Sequence, residues 1–181
     1  VDVGDIPLWS SLCLCLAKPK QRMLASIRLG TMGYSLCAAM AAGALRPDEH
    51  IVAIAGDGGI QMSCNELATL MQMRVRHLLV IVMVNKVLGR VFNEIWGPGG
   101  AGTAKGCDIG NPDFCKLADA YGARGIRINS HDPDVVSRTL DDALATPGLC
   151  VLEVMQDVNI RPLMAKKTKR HVSPPSTAAT T

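Results

Sequence analysis

The sequence predicts an α/β fold, a doubly wound and mainly parallel sheet with helices on both faces. Short apolar runs alternate with longer helical patterns along the 181-residue chain. Continuous apolar runs are typical of parallel strands, which are buried on both faces and joined by helical crossovers. Hydrophobic residues make up 48% of the chain and aromatic residues only 3%, so aliphatic and Met side chains must fill the core. This length and composition favour one large domain over two small ones.

The first half of the chain begins this alternation. Small and apolar residues over 30–45 predict a helix that Pro47 stops. Ser63 and Glu66 have the spacing of a capping box, which predicts a helix from there to about Arg74. The predicted strands of this half are residues 51–55 and 78–84.

The second half continues the alternation after a glycine-rich stretch over 97–110, which predicts a loop. Asn111-Pro112-Asp113 is a helix-opening pattern, and Gly122 is the expected stop of that helix after Tyr121. The remaining predicted elements are a strand at 125–129, a helix at 132–145 and a strand at 149–155.

Composition argues against several classes of protein. The seven cysteines are odd in number and contain no C-x-x-C pair, which supports neither a zinc site nor a full disulfide framework. They indicate reduced, mostly buried thiols and therefore a cytoplasmic location. The apolar stretch 8–17 is too short to span a bilayer, so no membrane association is expected. Scarce aromatic residues argue against a nucleic-acid platform. Much of the net charge of +3 comes from a short basic run near the end, which could touch nucleic acid or anionic lipid but favours a solvated tail.

Two regions differ in composition. Residues 1–164 carry the alternating pattern and form the predicted domain. Residues 165–181 are basic at first and then rich in Ser, Thr, Pro and Ala, which predicts a solvated, disordered tail.

Polar residues follow two successive predicted strands. A Gly-Asp-Gly-Gly turn at 56–59 ends the first strand, and Asn85 ends the second. A Gly-Asp-Gly sequence alone is most often only a turn, but strand ends in open α/β sheets are where ligands bind. Glycines let main-chain N–H groups approach phosphate oxygens, and Mg²⁺ prefers oxygen ligands such as those of Asp57, Asn85 and a carbonyl near Val87. The pattern predicts a metal-bridged phosphate.

A dinucleotide-binding Rossmann domain is the competing interpretation. Its fingerprint requires three spaced glycines and an acidic residue at the end of the following strand. Here Gln61 occupies the third glycine position, and no acidic residue ends the following strand. The fingerprint is therefore absent.

The pattern resembles the diphosphate-binding signature of thiamine diphosphate enzymes, which is Gly-Asp-Gly followed by roughly 25 residues and an Asn. In this chain 26 residues separate Gly58 from Asn85. The sequence is most similar to the pyruvate oxidase and acetolactate synthase branch of the family, particularly to pyruvate oxidase-like members. Further segments that resemble the family, in the same order, are 29–34, 66–69, 87–89, 111–114 and 117–123.

The resemblance implies that thiamine diphosphate and Mg²⁺ bind this domain. It implies that the carbonyl of Gly30 receives the 4′-amino group of the cofactor and that Met32 lies under the cofactor. Without the resemblance, Met32 would be interpreted as an ordinary packing residue. Leu88 and Gly89 would open a helix whose N-terminus faces the diphosphate. The implied metal ligands are Asp57, Asn85 and Val87. The implied cofactor-binding residues are Gly30, Met32, Gly56, Asp57, Gly58, Gly59, Asn85, Val87, Leu88 and Gly89.

The resemblance also implies an enzyme that acts on a 2-oxoacid such as pyruvate, by decarboxylation with oxidation or carboligation. No catalytic side chain is assigned in this chain. In the family the glutamate that protonates the pyrimidine belongs to a separate domain of a partner subunit, and Glu66 suits helix capping instead. The alternative is a noncatalytic regulatory or interaction domain that retains the fold.

Partners follow from the same resemblance. Family members carry a pyrimidine-binding domain and a middle domain, and the segment beginning at Val1 resembles the end of the family's first strand of this domain. We therefore expect a domain truncated at its N-terminus, inactive alone, whose full form is a homo-oligomer, a dimer or a tetramer. FAD would bind only through domains outside this chain.

Overall fold

A computed structural model describes residues 1–96, 106–160 and 162. Within these residues, four parallel strands form one sheet in the order β1-β2-β4-β3. The strands are β1 Ile51–Gly56, β2 His77–Val84, β3 Arg124–Ile128 and β4 Gly148–Met155. The predicted parallel α/β sheet is confirmed. Part of the predicted loop, 97–105, and the whole predicted tail, 165–181, lie outside the described residues.

Helices cover both faces of this sheet. The helices are α1 Ile6–Cys13, α2 Tyr34–Leu45, α3 Asp57–Ile60, α4 Glu66–Met73, α5 Gly89–Trp96, α6 Phe114–Ala120 and α7 Pro133–Ala145. Val80 and Val82 of β2 pack in one core cluster with α2, α4 and α6. Leu79 and Ile81 pack in a second cluster with α7. Successive residues of a strand point to opposite faces, so β2 is buried on both sides.

The register of the sheet aligns the two strand ends that carry the polar residues. Gly56 of β1 pairs with Met83 of β2. Asp57 follows β1 directly, and Asn85 follows β2 directly. Both residues therefore lie at the carboxyl edge of the sheet, on neighbouring strands.

Two helices begin where the sequence predicted, and each start carries a side-chain cap. Asp113 accepts a hydrogen bond from the main-chain N–H of Lys116 at the start of α6. Asp132 accepts from the N–H of Asp134 at the start of α7. Each bond satisfies a donor that has no partner within the helix, which explains why the helices begin there.

The capping box predicted from Ser63 and Glu66 is wrong. The Ser63 hydroxyl donates to the carbonyl oxygen of Gly33 at 3.1 Å. The Glu66 carboxylate accepts from the Thr69 hydroxyl at 2.8 Å, and the Asn65 side chain makes no capping bond to α4. The Ser63 hydroxyl thus bonds a residue far away in the sequence and does not cap the helix as the local pattern had predicted.

The helix predicted from residue 30 begins later, at Tyr34. Gly30 and Gly33 have φ angles of +67° and +84°. This left-handed region favours glycine and interrupts a right-handed helix. Residues 30–33 therefore form a turn before α2.

The prediction that the cysteines are mostly buried is also wrong. All seven are free thiols, but only Cys107 and Cys150 are buried, while Cys13, Cys15 and Cys37 are exposed. Among the residues that the structure describes, no helix has the length and apolar character needed to cross a bilayer.

Candidate cofactor-binding site

A cavity of about 580 Å³ opens at the carboxyl edge of β1 and β2. Ligand pockets commonly have volumes of about 300–1,000 Å³. The structure brings together around this one cavity every residue that the sequence analysis proposed for cofactor binding. These lining residues are Gly30, Met32, Gly56, Asp57, Gly58, Gly59, Asn85, Val87, Leu88 and Gly89.

The Asp57 carboxylate is 2% exposed and has four hydrogen-bond donors around it. Its Oδ1 accepts from the N–H of Gly58 at 2.9 Å. Its Oδ2 accepts from the N–H groups of Asn85 at 3.1 Å and Lys86 at 2.6 Å, and from Nδ2 of Asn111 at 2.8 Å. Such donors stabilise a buried carboxylate. Oδ2 has three partners and Oδ1 only one, so Oδ1 retains the greater acceptor capacity.

A tight turn follows Asn85. Lys86 adopts a left-handed conformation with φ +61°, which costs a non-glycine residue roughly 1–2 kcal/mol. Beyond this turn the N–H of Val87 donates to Oδ1 of Asn85 at 3.1 Å. The N–H of Leu88 bonds the carbonyl of Cys107 at 2.8 Å, and that of Ile109 bonds the carbonyl of Lys86 at 3.1 Å. A neighbouring segment thus holds the turn in place.

Apolar side chains lie close to the main chain of Gly58. A Cβ atom built on Gly58 would lie 2.7 Å from Cδ2 of Leu88 and 3.4 Å from Cε of Met32. It would also lie 3.4 Å from Cδ1 of Ile109. The absence of a side chain at residue 58 therefore lets the Leu88 side chain reach the glycine turn.

Asp2 is a buried acid that the sequence analysis missed. It is 1% exposed, and its carboxylate accepts from the N–H of Gly33 at 3.2 Å and from the hydroxyl of Ser35 at 2.9 Å. A Cβ atom on Gly59 would lie 2.9 Å from Oδ1 of Asp2. Asp2 therefore joins the turn before α2 to the glycine turn after β1.

Asn111 and Gln61 also contact the site and were missed. Asn111 was interpreted as part of a helix start and of a segment that resembles the family, and Gln61 only as a mismatch to the Rossmann fingerprint. Nε2 of Gln61 donates to Oδ1 of Asn111 at 2.8 Å, and Nδ2 of Asn111 donates to Oδ2 of Asp57 at 2.8 Å. No local signal marks Asn111, because 54 residues separate it from Asp57.

The three side chains of Asp113, Cys115 and Glu153 form a second group of candidate metal ligands. Arg127 already bonds both carboxylates, Asp113 at 2.7 Å and Glu153 at 2.9 Å. Burial, followed by the negative charge of Glu153, raises the pKa of Cys115 to about 11. A thiol binds metals as the thiolate, so we assign this cluster a structural role.

Comparisons with known proteins identify similar sequences. A family model described as "Thiamine pyrophosphate enzyme, C-terminal TPP binding domain" matches residues 2–154. The acetolactate synthase isozyme 2 large subunit of Escherichia coli (strain K12) is 32% identical over 172 residues, which cover 90% of this chain and 29% of that protein. The mitochondrial acetolactate synthase catalytic subunit of Aspergillus candidus is 35% identical over 161 residues, which cover 87% of this chain and 22% of that protein. The acetolactate synthase large subunit of Cyanidium caldarium is 32% identical over 172 residues, which cover 91% of this chain and 28% of that protein.

The chain thus spans between 22% and 29% of the length of these three relatives. All three are acetolactate synthases, which agrees with the broader branch that the sequence indicated. They give no support to the narrower prediction of a pyruvate oxidase-like member.

Proposed function

The chain belongs to the thiamine pyrophosphate enzyme family, as its C-terminal TPP-binding domain, and from this premise we propose that it binds thiamine diphosphate with Mg²⁺ in the cavity around Asp57. The observation that carries the proposal is the convergence of all ten proposed residues on that single cavity. Asp57 and Asn85 offer side-chain oxygens and Val87 a main-chain carbonyl. This is a donor set that suits a hard divalent cation.

The diphosphate in this proposal lies between the glycine turn 56–59 and the start of α5 at Gly89. Main-chain N–H groups at a helix N-terminus carry partial positive charge and attract anions. A Cβ atom on Gly56 would meet nothing within 4 Å, so the turn leaves open space beside its main chain. Gly30 and Met32, on the turn before α2, are proposed to contact the aminopyrimidine part of the cofactor.

The residues of this chain bind and orient the cofactor. When bound, thiamine diphosphate supplies the nucleophilic carbon and the electron sink for decarboxylation of a 2-oxoacid. Asp57, Asn85 and the main-chain carbonyl of Val87 would hold the metal, which would supply positive charge for the diphosphate. The side chains of Met32 and Leu88, which both approach Gly58, make that part of the cavity wall apolar.

We further propose that the chain is part of an acetolactate synthase-like enzyme acting on a 2-oxoacid such as pyruvate. The names of the relatives support this assignment. Because the chain spans 29% or less of their length, we propose that pyrimidine-binding and middle domains complete the site, in a cytoplasmic homo-oligomer. The chain alone then binds cofactor without turnover, and FAD would bind one of those further domains.

The test is calorimetric titration of thiamine diphosphate into the 181-residue chain, with Mg²⁺ and with EDTA. We expect binding that requires the metal and is lost in Asp57→Ala. Asp57→Asn retains the shape of the side chain and separates loss of charge from loss of packing. Asp48→Asn removes a carboxylate whose side chain is 79% exposed, and it should bind like the wild type.

Two outcomes would overturn the proposal. Metal-independent binding would remove Mg²⁺ from it, and equal binding by Asp57→Ala would remove the site. Metal-dependent binding that yields no activity even after the remaining domains are supplied would favour a noncatalytic domain instead.

A further inference from the structure

We infer that Asn111 and Gln61 are positioning residues that fix the Asp57 carboxylate so that Oδ1 is the oxygen presented to the metal. The inference rests on the proposed function, because it concerns the same metal site. It assigns a role to two side chains that neither the sequence pattern nor the resemblance singled out.

The three side chains form a closed network. Nδ2 of Asn111 donates to Oδ2 of Asp57 at 2.8 Å, and Nε2 of Gln61 donates to Oδ1 of Asn111 at 2.8 Å. Nε2 of Gln61 also lies 3.3 Å from the main-chain oxygen of Asp57. The network therefore begins and ends on the residue whose carboxylate it orients.

Gln61 determines which end of the Asn111 amide faces Asp57. An amide has one acceptor oxygen and one donor nitrogen. Because Gln61 presents a donor, Asn111 must turn its oxygen toward Gln61, which leaves its nitrogen for Asp57. The reversed amide would place its oxygen against a carboxylate oxygen, and the two atoms would repel each other.

Neither residue belongs to the cavity wall. Asn111 and Gln61 are not among the residues that line the cavity of about 580 Å³, whereas Asp57 is. Asn111 instead lines a separate hollow of about 300 Å³ behind the site, together with Lys86. Both residues therefore act on a ligand only through Asp57, as outer residues that orient metal ligands do in other proteins.

The unequal number of donors on the two carboxylate oxygens of Asp57 explains why loss of Asn111 should weaken metal binding. Main-chain N–H groups of Asn85 and Lys86 already bond Oδ2, and Asn111 adds the third donor to the same atom. Removing Asn111 leaves the three main-chain donors to the carboxylate but takes away the one side-chain donor to Oδ2, so the direction of the Oδ1 lone pairs is less tightly fixed. We expect weaker metal binding in a protein that still folds.

The experiment measures the Mg²⁺ concentration that half-saturates thiamine diphosphate binding by the full 181-residue chain. For Asn111→Ala and for Gln61→Glu, which presents an acceptor to Asn111, we expect this concentration to rise about 10–100-fold. Gln61→Met, which removes the donor but not the volume, should give a smaller rise. At saturating Mg²⁺ the affinity for thiamine diphosphate should return to the wild-type value.

The double variant Gln61→Met with Asn111→Ala should be no worse than Asn111→Ala alone, because Gln61 acts through Asn111. Gln72→Glu makes the same chemical change on an exposed side chain of α4 and should leave the Mg²⁺ requirement unchanged. A melting curve without ligands identifies any variant that fails to fold, and Asn111→Ser and Gln61→Met then replace Asn111→Ala and Gln61→Glu.

The outcomes separate the inference from the proposed function. Wild-type protein that shows no Mg²⁺-dependent binding overturns both. Wild-type binding together with an unchanged Mg²⁺ requirement in folded Asn111→Ala and Gln61→Glu overturns the positioning role alone. Equal losses at every Mg²⁺ concentration would show a general structural role and would also overturn it.

Discussion

Arg127 and Glu153 lie opposite each other on β3 and β4 and share two hydrogen bonds. Nε of Arg127 donates to Oε1 at 3.0 Å, and Nη2 donates to Oε2 at 2.9 Å. Glu153 is 5% exposed, and its Oε2 also accepts from the N–H of Phe114 at 3.1 Å. The pair thus joins the edge strand β3 to the first residue of α6, close to Asn111.

We predict that Arg127→Met lowers the free energy of unfolding by about 3 kcal/mol, since it leaves the buried carboxylate of Glu153 without its cation. The value is at the low end for a buried pair because the Arg127 side chain is 35% exposed. Urea unfolding at neutral pH measures the change.

Arg76→Met is the matched control. Arg76 pairs with Asp48 at 2.6 Å, but their side chains are 68% and 79% exposed. Such surface pairs contribute about 0–1 kcal/mol. Equal losses in the two variants would contradict the role given to Arg127.

A second prediction concerns close packing of α6 on β3. A Cβ atom on Gly125 would lie 2.6 Å from both Cα and the carbonyl oxygen of Cys115. Since these are main-chain atoms, the helix itself must shift, and we expect Gly125→Ala to cost about 3 kcal/mol or more. Gly43→Ala in α2 meets Val75 at an ordinary 3.5 Å and should instead stabilise the fold by about 0.5–1 kcal/mol. Thermal melting compares the two, and a stable Gly125→Ala protein would refute the packing argument.

The third prediction concerns the pH dependence of Cys115 alkylation. Burial and the nearby charge of Glu153 raise the pKa of Cys115 to about 11. Only the thiolate reacts, so the rate with iodoacetamide should rise about tenfold per pH unit from pH 8 to pH 10. Mass spectrometry of labelled peptides follows each thiol, and the exposed Cys13, Cys15 and Cys37 should be modified before Cys115. A plateau in the Cys115 rate below pH 10 would be inconsistent with the raised pKa.

The fourth prediction concerns the contact between Gly58 and Leu88. The added Cβ of Gly58→Ala would lie only 2.7 Å from Leu88 Cδ2, so we expect it to displace that side chain into the cavity. The affinity for thiamine diphosphate should then fall by about tenfold. Leu88→Ala added to Gly58→Ala should recover part of the loss. Gly110→Ala, whose Cβ meets nothing within 4 Å, should leave affinity unchanged.

Sequence reasoning identified the parts of the site that depend on strand periodicity. Asp57 and Asn85 each follow a continuous apolar run, and parallel strands bring such ends to one edge. That part of the geometry is therefore encoded in local pattern.

The rest depends on contacts between distant segments. Ser63 has the spacing of a capping residue, yet its hydroxyl bonds Gly33, 30 residues away. Lys86 has no sequence signal for a left-handed conformation, and the strain of that conformation is held by surrounding hydrogen bonds. Asn111 reaches Asp57 across 54 residues. Only the assembled fold reveals such partners, because spacing along the chain does not determine them.

The four hydrogen-bond donors around the Asp57 carboxylate have a consequence for the selectivity of the proposed metal site. They hold the carboxylate rigidly in the unliganded protein, so its ordering is completed during folding and not at the moment of encounter. In the metal site that we propose, a carboxylate held in this way would favour ions whose size and geometry match it over ions that require rearrangement. Preorganisation of one buried acid thus makes folding and molecular recognition depend on the same atoms.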